Sequence, residues 1–279
     1  MTPRAPQRRT PAPRPPRGAP RRGGADARPA RKEGLGGEQV EGRHAVLELL
    51  KARKRTVNRV FIADAQDPAE ILDAIEFEAR RQRVLVQIVS MARLDREART
   101  EGHQGVMALA SRLEGVTLDE LLQVKNPFLL VCDGVTDPRN LGSMLRSADG
   151  AGVTGVVLPR HRSARVSPTV TKTAAGAIEY LTFCDVGGIP TAIDQLNRAN
   201  LLTVGLAGEA KDSLYDLDLA SGPVALIVGG EEKGLAPLTR KRCAAVVSIP
   251  QAGKITSLNA GVAVSIAAFE VARQRRLAR

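Results

Sequence analysis

From Pro127 onward the chain alternates short, almost continuously apolar runs with helix-patterned segments, and this restricts the fold more than any other feature of its 279 residues. Six runs read as strands: FLLVCD (128–133), GVVLP (155–159), YLTFCDV (180–186), LLTVGLA (201–207), VALIVG (224–229) and AVVSIP (245–250). Strands apolar on both faces and separated by helices call for a parallel sheet covered on both sides. The last helix, from about Ser257 to Arg275, is apolar nearly all round until Arg273, so most of it is expected to be buried.

A smaller α/β unit precedes this block over residues 41–112. AVLELLKA (45–52) is helical, NRVFIA (58–63) a strand and PAEILDAIEFEARRQR (68–83) a helix, with Ile71, Leu72, Ile75 and Phe77 on its apolar face. VLVQIV (84–89) and GVMALA (105–110) are strands, and 113–126 is a linker holding a short helical piece, LDELLQV. Residues 1–40 differ in kind. They hold ten Lys/Arg against three acids, eight of the 17 prolines and no aromatic residue. Such a segment buries too little apolar surface to offset its chain entropy and reads as a disordered basic tail. It accounts for most of the formal charge of +11.

Composition removes several function classes. No apolar run approaches the roughly eighteen residues of a membrane span, and the N-terminus lacks the apolar stretch of a secretory signal. Cys132, Cys184 and Cys243 stand far apart without a CxxC pair, which argues against a zinc site or a disulfide framework and for a reducing, cytoplasmic setting. With His44, His103 and His161 equally scattered, no metal is expected. Five Phe, two Tyr and no Trp leave little for base-stacking modules, so recognition of a nucleic acid would rest on charge and shape.

Three segments carry chemistry. Gly150-Ala-Gly152-Val-Thr-Gly155 fits GxGxxG but follows a helix and opens a strand, the reverse of a dinucleotide fingerprint, so it reads as a helix-to-strand turn with glycine in the left-handed cap. Gly229-Gly-Glu-Glu-Lys-Gly234-Leu235 lacks the Lys-Ser/Thr of a phosphate loop and puts two carboxylates where phosphate would sit. At the carboxyl end of a strand it suits an uncharged or cationic small ligand. SIPQAGKITSLNAG repeats that design after AVVSIP, with Thr256 and Ser257 as a hydroxyl pair, Ser257 as the candidate N-cap, and Asn259 at the start of the last helix. In DPRNLGSMLRSADGAG (137–152), Leu141, Met144, Leu145 and Ala148 share one helix face. Arg139 and Arg146 lie opposite, either as solvated surface charges or as a phosphate clamp.

Taken in order, DGVTDPRNLGSMLRSADGAG, ALIVGGEEKGL and SIPQAGKITSLNAGVAVSIAAFE resemble the three signature motifs of the SpoU (TrmH-type) RNA 2′-O-ribose methyltransferases. VSPTVTKTAAGAIEYL resembles the family's connecting segment. The N-terminal unit, with EGRHAVLELL and HQGVMALA, resembles the substrate-binding domain of the RlmB-like subgroup. The resemblance covers about residues 41–275. It implies an α/β fold with a C-terminal knotted (SPOUT-type, deep trefoil knot) parallel-sheet domain over 127–279 and a smaller N-terminal α/β RNA-binding domain, working as a homodimer.

The resemblance further implies S-adenosylmethionine as cofactor and ribosomal RNA as partner, with methyl transfer to the ribose 2′-oxygen of a 23S guanosine. Gly229, Ile249 and Leu258 fall at the family's cofactor-contacting positions, and Asn140, Arg146, Glu231, Ser257 and Asn259 at its polar active-site positions. Arg146 is either the agent that removes the 2′-proton or a clamp on the adjacent phosphate. Two positions depart from the family pattern: Glu232 replaces a common Gly, and Ala260-Gly261 replaces a common Val-Ser, an exchange expected to loosen the start of the last helix. Two alternatives stand beside this reading: the same chemistry on another rRNA or tRNA nucleotide, and a non-catalytic RNA-binding ribosome-assembly factor.

Overall fold

The structure, a computed structural model, describes residues 35–64, 66–254 and 257–278. Most of the expected basic tail, residues 1–34, and Thr256 lie outside the described residues. Residues 35–40 do not belong to such a tail. Leu35 is buried in the main core, Gly36 pairs with Val166 in an isolated bridge, and Gln39–Glu41 form the first strand, β1.

The N-terminal unit continues through α1 (Arg43–Ala52), β2 (Val57–Ala63), α2 (Glu70–Arg81), β3 (Leu85–Val89), α3 (Met91–Glu97) and β4 (Val106–Ala110). Its sheet has the order β1-β4-β2-β3, with β1 and β2 antiparallel to β4 and β3 parallel to β2. Leu49, Leu50, Val60, Ile75, Ala79 and Val106 form its core. Phe77 does not join them. Two residues beyond Ile75 on the helical wheel, it is 59% exposed beneath the Arg81 guanidinium.

The linker forms α4 (Leu118–Leu122), opened by a capping box in which Thr117 and Glu120 bond each other's backbone N–H groups. The C-terminal block follows as β5 (Phe128–Asp133), α5 (Pro138–Gly150), β6 (Gly155–Pro159), α6 (Pro168–Thr173), β7 (Phe183–Val186), α7 (Ile189–Arg198), β8 (Leu202–Leu206), β9 (Asp212–Ser213), β10 (Val224–Gly229), α8 (Pro237–Arg242), β11 (Ala245–Ser248) and α9 (Ala260–Leu277). All six expected strands form, and β9 adds a short edge. Every pairing is parallel, in the order β7-β6-β5-β10-β8-β11-β9. Leu130, Cys132 and Leu226 on one face pack with Met144 and Val264, while Leu129, Val131 and Ile227 on the other pack with Ile193 and Leu196. Gly152 takes the left-handed conformation after α5 (φ +79°), and its N–H bonds Asp149 O at 3.0 Å, so the GxGxxG match is the expected helix-to-strand turn.

Two sequence expectations about α9 change. Its N-cap is Asn259, whose Oδ1 accepts from Gly261 N at 2.9 Å and Val262 N at 3.2 Å, rather than Ser257. The helix is also buried on one side only: Val264, Ala267, Ala268 and Val271 face the sheet, whereas Val262 and Phe269 are 47% and 52% exposed.

The N-terminal unit docks against α6 and the 3-10 turn 177–179. Gly176 (φ +92°) permits the approach, because a Cβ there would lie 2.4 Å from that of Glu48 on α1. The Tyr180 hydroxyl donates to Glu48 at 2.6 Å. Beside it, Arg55 and Glu179 form an ion pair with side chains only 4% and 1% exposed.

Candidate active site

Parallel sheets form ligand crevices beyond their carboxyl strand ends, where the chain order reverses. Here β5 leads outward to β6 and β7, and β10 returns between β5 and β8, so the reversal falls at β5 and β10. The segment after β10 folds back on itself: Gly234 N bonds Gly230 O at 2.9 Å, leaving Glu231, Glu232 and Lys233 at the apex of a tight turn. Gly229 is required for that path, since a Cβ on it would lie 2.0 Å from the Gly234 carbonyl carbon.

A chain of side-chain amides joins the three loops. Asp137 caps α5 through Arg139 N at 2.7 Å, with Pro138 in the first turn, and this fixes where Asn140 emerges. Asn140 Nδ2 donates to Glu231 Oε1 at 2.7 Å, and Asn140 Oδ1 accepts from Asn259 Nδ2 at 2.9 Å. Asn259 in turn caps α9. One hydrogen-bonded line thus runs from the turn after β10, through the start of α5, to the head of the last helix.

The turn after β10 divides two clefts. The first, of about 660 Å³, lies over the ends of β8, β10 and β11 and is lined by Gly229, Glu231, Ile249, Ser257, Leu258 and Asn259 together with Leu206, Glu209 and Val247. Its volume is that of a site for a cofactor-sized molecule. Leu206, Val247, Ile249 and Leu258 give the cleft an apolar wall, and Glu231 adds a carboxylate, while Glu209 is paired with Arg240 and Glu232 stands beside Lys233. Six of the eight expected site residues therefore converge on this cleft, and Asn140 reaches it through Glu231 and Asn259. Arg146 does not. It is exposed two turns along α5, with no hydrogen-bond or ion-pair partner among the described residues. Arg139 is exposed on the same side of the helix.

Burial, reinforced by the Asp133 and Glu231 carboxylates, pushes the Cys132 thiol up to about 12, so it packs as a neutral core residue. Among the described residues no three His, Cys, Asp or Glu are grouped to hold a metal ion, and no helix is long and apolar enough to cross a membrane.

Comparison with known proteins places this geometry. The SpoU rRNA Methylase family model matches residues 127–269, and the model for RNA 2′-O ribose methyltransferase substrate binding matches residues 39–116. The chain belongs to the SpoU rRNA methylase family. It is 41% identical over 244 residues to the 23S rRNA (guanosine-2′-O-)-methyltransferase RlmB of Pectobacterium atrosepticum, covering 85% of this chain and 98% of that protein. To the enzyme of the same name from Escherichia coli K12 it is 38% identical over 242 residues, covering 85% and 99%. A crystal structure of an RNA 2′-O ribose methyltransferase superposes with a TM-score of 0.69 at 25% identity, covering 85% of this chain and 88% of that one. The SpoU methyltransferase AviRb from Streptomyces viridochromogenes, solved with AdoMet, shares the fold at a TM-score of 0.71 and 23% identity, covering 86% and 90%.

Within this SpoU chain the departure at Ala260-Gly261 has a local reason. A Cβ on Gly261 would lie 3.2 Å from Ser143 Oγ, so glycine lets the first turn of α9 press onto α5. Ser265 Oγ then donates to Gly261 O at 2.7 Å and meets Ser147 Oγ at 2.6 Å. Glu232 stands exposed at the turn apex. Sequence reading missed Leu206 and Glu209 as lining residues. Their signal was positional: both sit at or just beyond the carboxyl end of β8, beside β10.

Proposed function

We propose that the protein transfers the methyl group of S-adenosylmethionine to the ribose 2′-oxygen of a guanosine in 23S ribosomal RNA. The observation that carries this reading is the Glu231–Asn140–Asn259 line, which ties all three motif loops together at one cofactor-sized cleft. When bound, S-adenosylmethionine supplies a methyl group on a positively charged sulfur. Gly229, Ile249 and Leu258 would hold it at the strand ends, and the Glu231 carboxylate would favour its positive charge. Asn140 and Asn259 fix the loops so that acceptor and methyl stay aligned, and Ser257 orders the pocket beside them; alignment supplies much of the rate in such transfers.

Arg146 serves the acceptor RNA. A guanidinium with a pKa above about 12 is a poor base near neutrality, so its role is to bind the neighbouring phosphate and offset charge developing on the 2′-oxygen. It stands outside the cleft of its own chain, on the surface where Phe269 of α9 comes within 3.4 Å of the Cβ position of Gly150. Val262 and Phe269 give that surface an exposed apolar stripe, which supports a homodimer packed through α5 and α9. The path of the chain after β11, back across α5 and β10, supports the knotted topology of the SPOUT fold. A ribosomal RNA substrate implies a cytoplasmic enzyme.

The test is incubation of the purified protein with S-adenosylmethionine and unmodified 23S rRNA, with the methylated nucleotide located by RNA mass spectrometry. One new 2′-O-methylguanosine is the expected result. Failure to bind S-adenosylmethionine would sink the enzyme reading in favour of an RNA-binding assembly factor. Arg146→Lys is expected to lower transfer by about a hundredfold with cofactor affinity intact; near wild-type turnover would remove any need for a guanidinium. Phe269→Glu is expected to convert a dimer to a monomer in light-scattering chromatography, and a variant with the mass of the wild type would place the dimer contact elsewhere.

A further inference from the structure

The second cleft, across the turn after β10 from the cofactor cleft, has no part in the reading so far. It measures about 1210 Å³ and opens over the ends of β5, β6, β7 and β10. Four features of its lining point the same way.

First, the turn after β6 is held at both ends. Arg160 N bonds Val186 O at 2.9 Å, while Ala164 N and Ser163 Oγ bond Val135 O at 2.8 and 3.1 Å. His161 and Arg162 stand exposed at its apex, and both line the cleft. Arg162 adopts a left-handed backbone (φ +61°), an unfavourable conformation for a residue with a side chain. Neither side chain has a hydrogen-bond or ion-pair partner among the described residues.

Second, Gly187 and Gly188 line the opposite wall, yet nothing in the protein requires glycine there. Neither has a positive φ, and a Cβ on either would meet no atom within 4 Å. Their bareness keeps the cleft open for close approach of something from outside.

Third, Gly188 is the N-cap of the ten-residue helix α7 and provides no side-chain cap; Pro190 carries no N–H, so the uncapped donors at this end are those of Ile189 and Thr191.

Fourth, three carboxylates of the lining keep their charge but each already accepts a hydrogen bond from the protein. Asp133 Oδ2 accepts from Ala236 N at 3.1 Å, Asp137 caps α5 and Glu231 holds Asn140. Glu232 and Lys233 stand together at the turn apex and offset each other. No Phe, Tyr or Trp lines the cleft.

We infer that this cleft is an RNA-backbone subsite: a phosphodiester flanking the methylated ribose sits between Arg162, with His161, and the start of α7. The inference rests on the methyltransferase reading for which RNA is bound; the two clefts share the turn after β10, but His161, Arg162 and the start of α7 line the second alone. The Arg162 fork presents paired N–H donors to phosphate oxygens, and the uncapped helix start supplies backbone donors from the other side.

The experiment measures binding of a labelled 23S rRNA fragment containing the target guanosine, across a salt series, beside calorimetric titration of S-adenosylmethionine. Arg162→Ala is expected to weaken RNA binding by about tenfold and to flatten the salt dependence by about one unit of slope, with cofactor affinity unchanged. Gly187→Val fills the cleft from a position with open space around it, and is expected to weaken RNA binding at unchanged melting temperature. Wild-type RNA affinity and salt slope in both variants would overturn the subsite while leaving the methyltransferase reading intact. Loss of cofactor binding in wild type would overturn that reading while leaving the RNA comparison valid. Uptake of inorganic phosphate by the wild type as tightly as the RNA fragment would make this a free-phosphate site and overturn the assignment.

Discussion

Replacing Asn140 with alanine is expected to cut methyl transfer by about a hundredfold while changing global stability by less than about 1 kcal/mol. The asymmetry follows from position. The amide is only partly buried, so losing its two hydrogen bonds costs the fold little. Both ends of the amide are nevertheless used, one on Glu231 and one on Asn259, and these side chains set the two loops that flank the cofactor cleft. Asn140→Asp would still accept from Asn259 but would set a carboxylate against Glu231, so it is expected to be no milder than alanine. Because the three residues act as one line, Asn140→Ala combined with Glu231→Ala should lose scarcely more activity than either alone. Single-turnover transfer rates beside cofactor titrations check this. Losses that multiply, or an alanine variant with wild-type transfer, would show that the line orders nothing needed for the reaction.

The parts of the site legible in sequence were those carried by local pattern. Glycine- and carboxylate-bearing loops directly after apolar strands announced a crevice at strand ends, and Asn259 at the head of an apolar run announced a helix start. What sequence left open depended on chain paths that bring distant segments together. The Asn140–Glu231 contact spans 91 residues, and nothing in either segment alone selects the other. Residues 35–40 read as part of the tail because the first forty residues together are basic, rich in Pro and Gly and without an aromatic residue. Leu35 is nevertheless drawn into the main core, and β1 is held by pairing with β4, 68 residues later. α6 escaped notice for a related reason: PTVTKT is rich in β-branched residues with weak helix preference. It forms because Ser167 caps it and Gly142 lets it pack closely on α5, where a Cβ would lie 2.6 Å from that of Thr173. The second cleft was hidden because His161 and Arg162 have no motif around them, and only the pinned turn aims them.

Removing either member of the Arg55–Glu179 pair is expected to destabilise the protein by roughly 3–5 kcal/mol, the largest effect on folding among these substitutions. Arg55 Nε donates to Glu179 Oε2 at 2.9 Å, and a second guanidinium nitrogen donates to the other carboxylate oxygen. The remaining nitrogen donates to Gly37 O at 2.7 Å and Ser111 O at 3.0 Å. One buried side chain thus ties the start of β1, the exit of β4 and the 3-10 turn ahead of β7. Arg55→Ala would leave a buried carboxylate and two backbone carbonyls unpaired, and Glu179→Ala a buried guanidinium. Arg55→Met with Glu179→Leu removes both charges at similar volume and should recover the part of the loss due to an unpaired buried charge, while the Gly37 and Ser111 carbonyls stay without their donor. Urea denaturation of the four proteins checks this. Single variants within about 1 kcal/mol of wild type would show that water reaches the pair and the lock is not real. Since the pair joins the N-terminal unit to the methylase block, the double variant also separates strength from geometry. If it restores stability but not RNA methylation, the ion pair sets the angle at which the N-terminal unit presents RNA to the cleft.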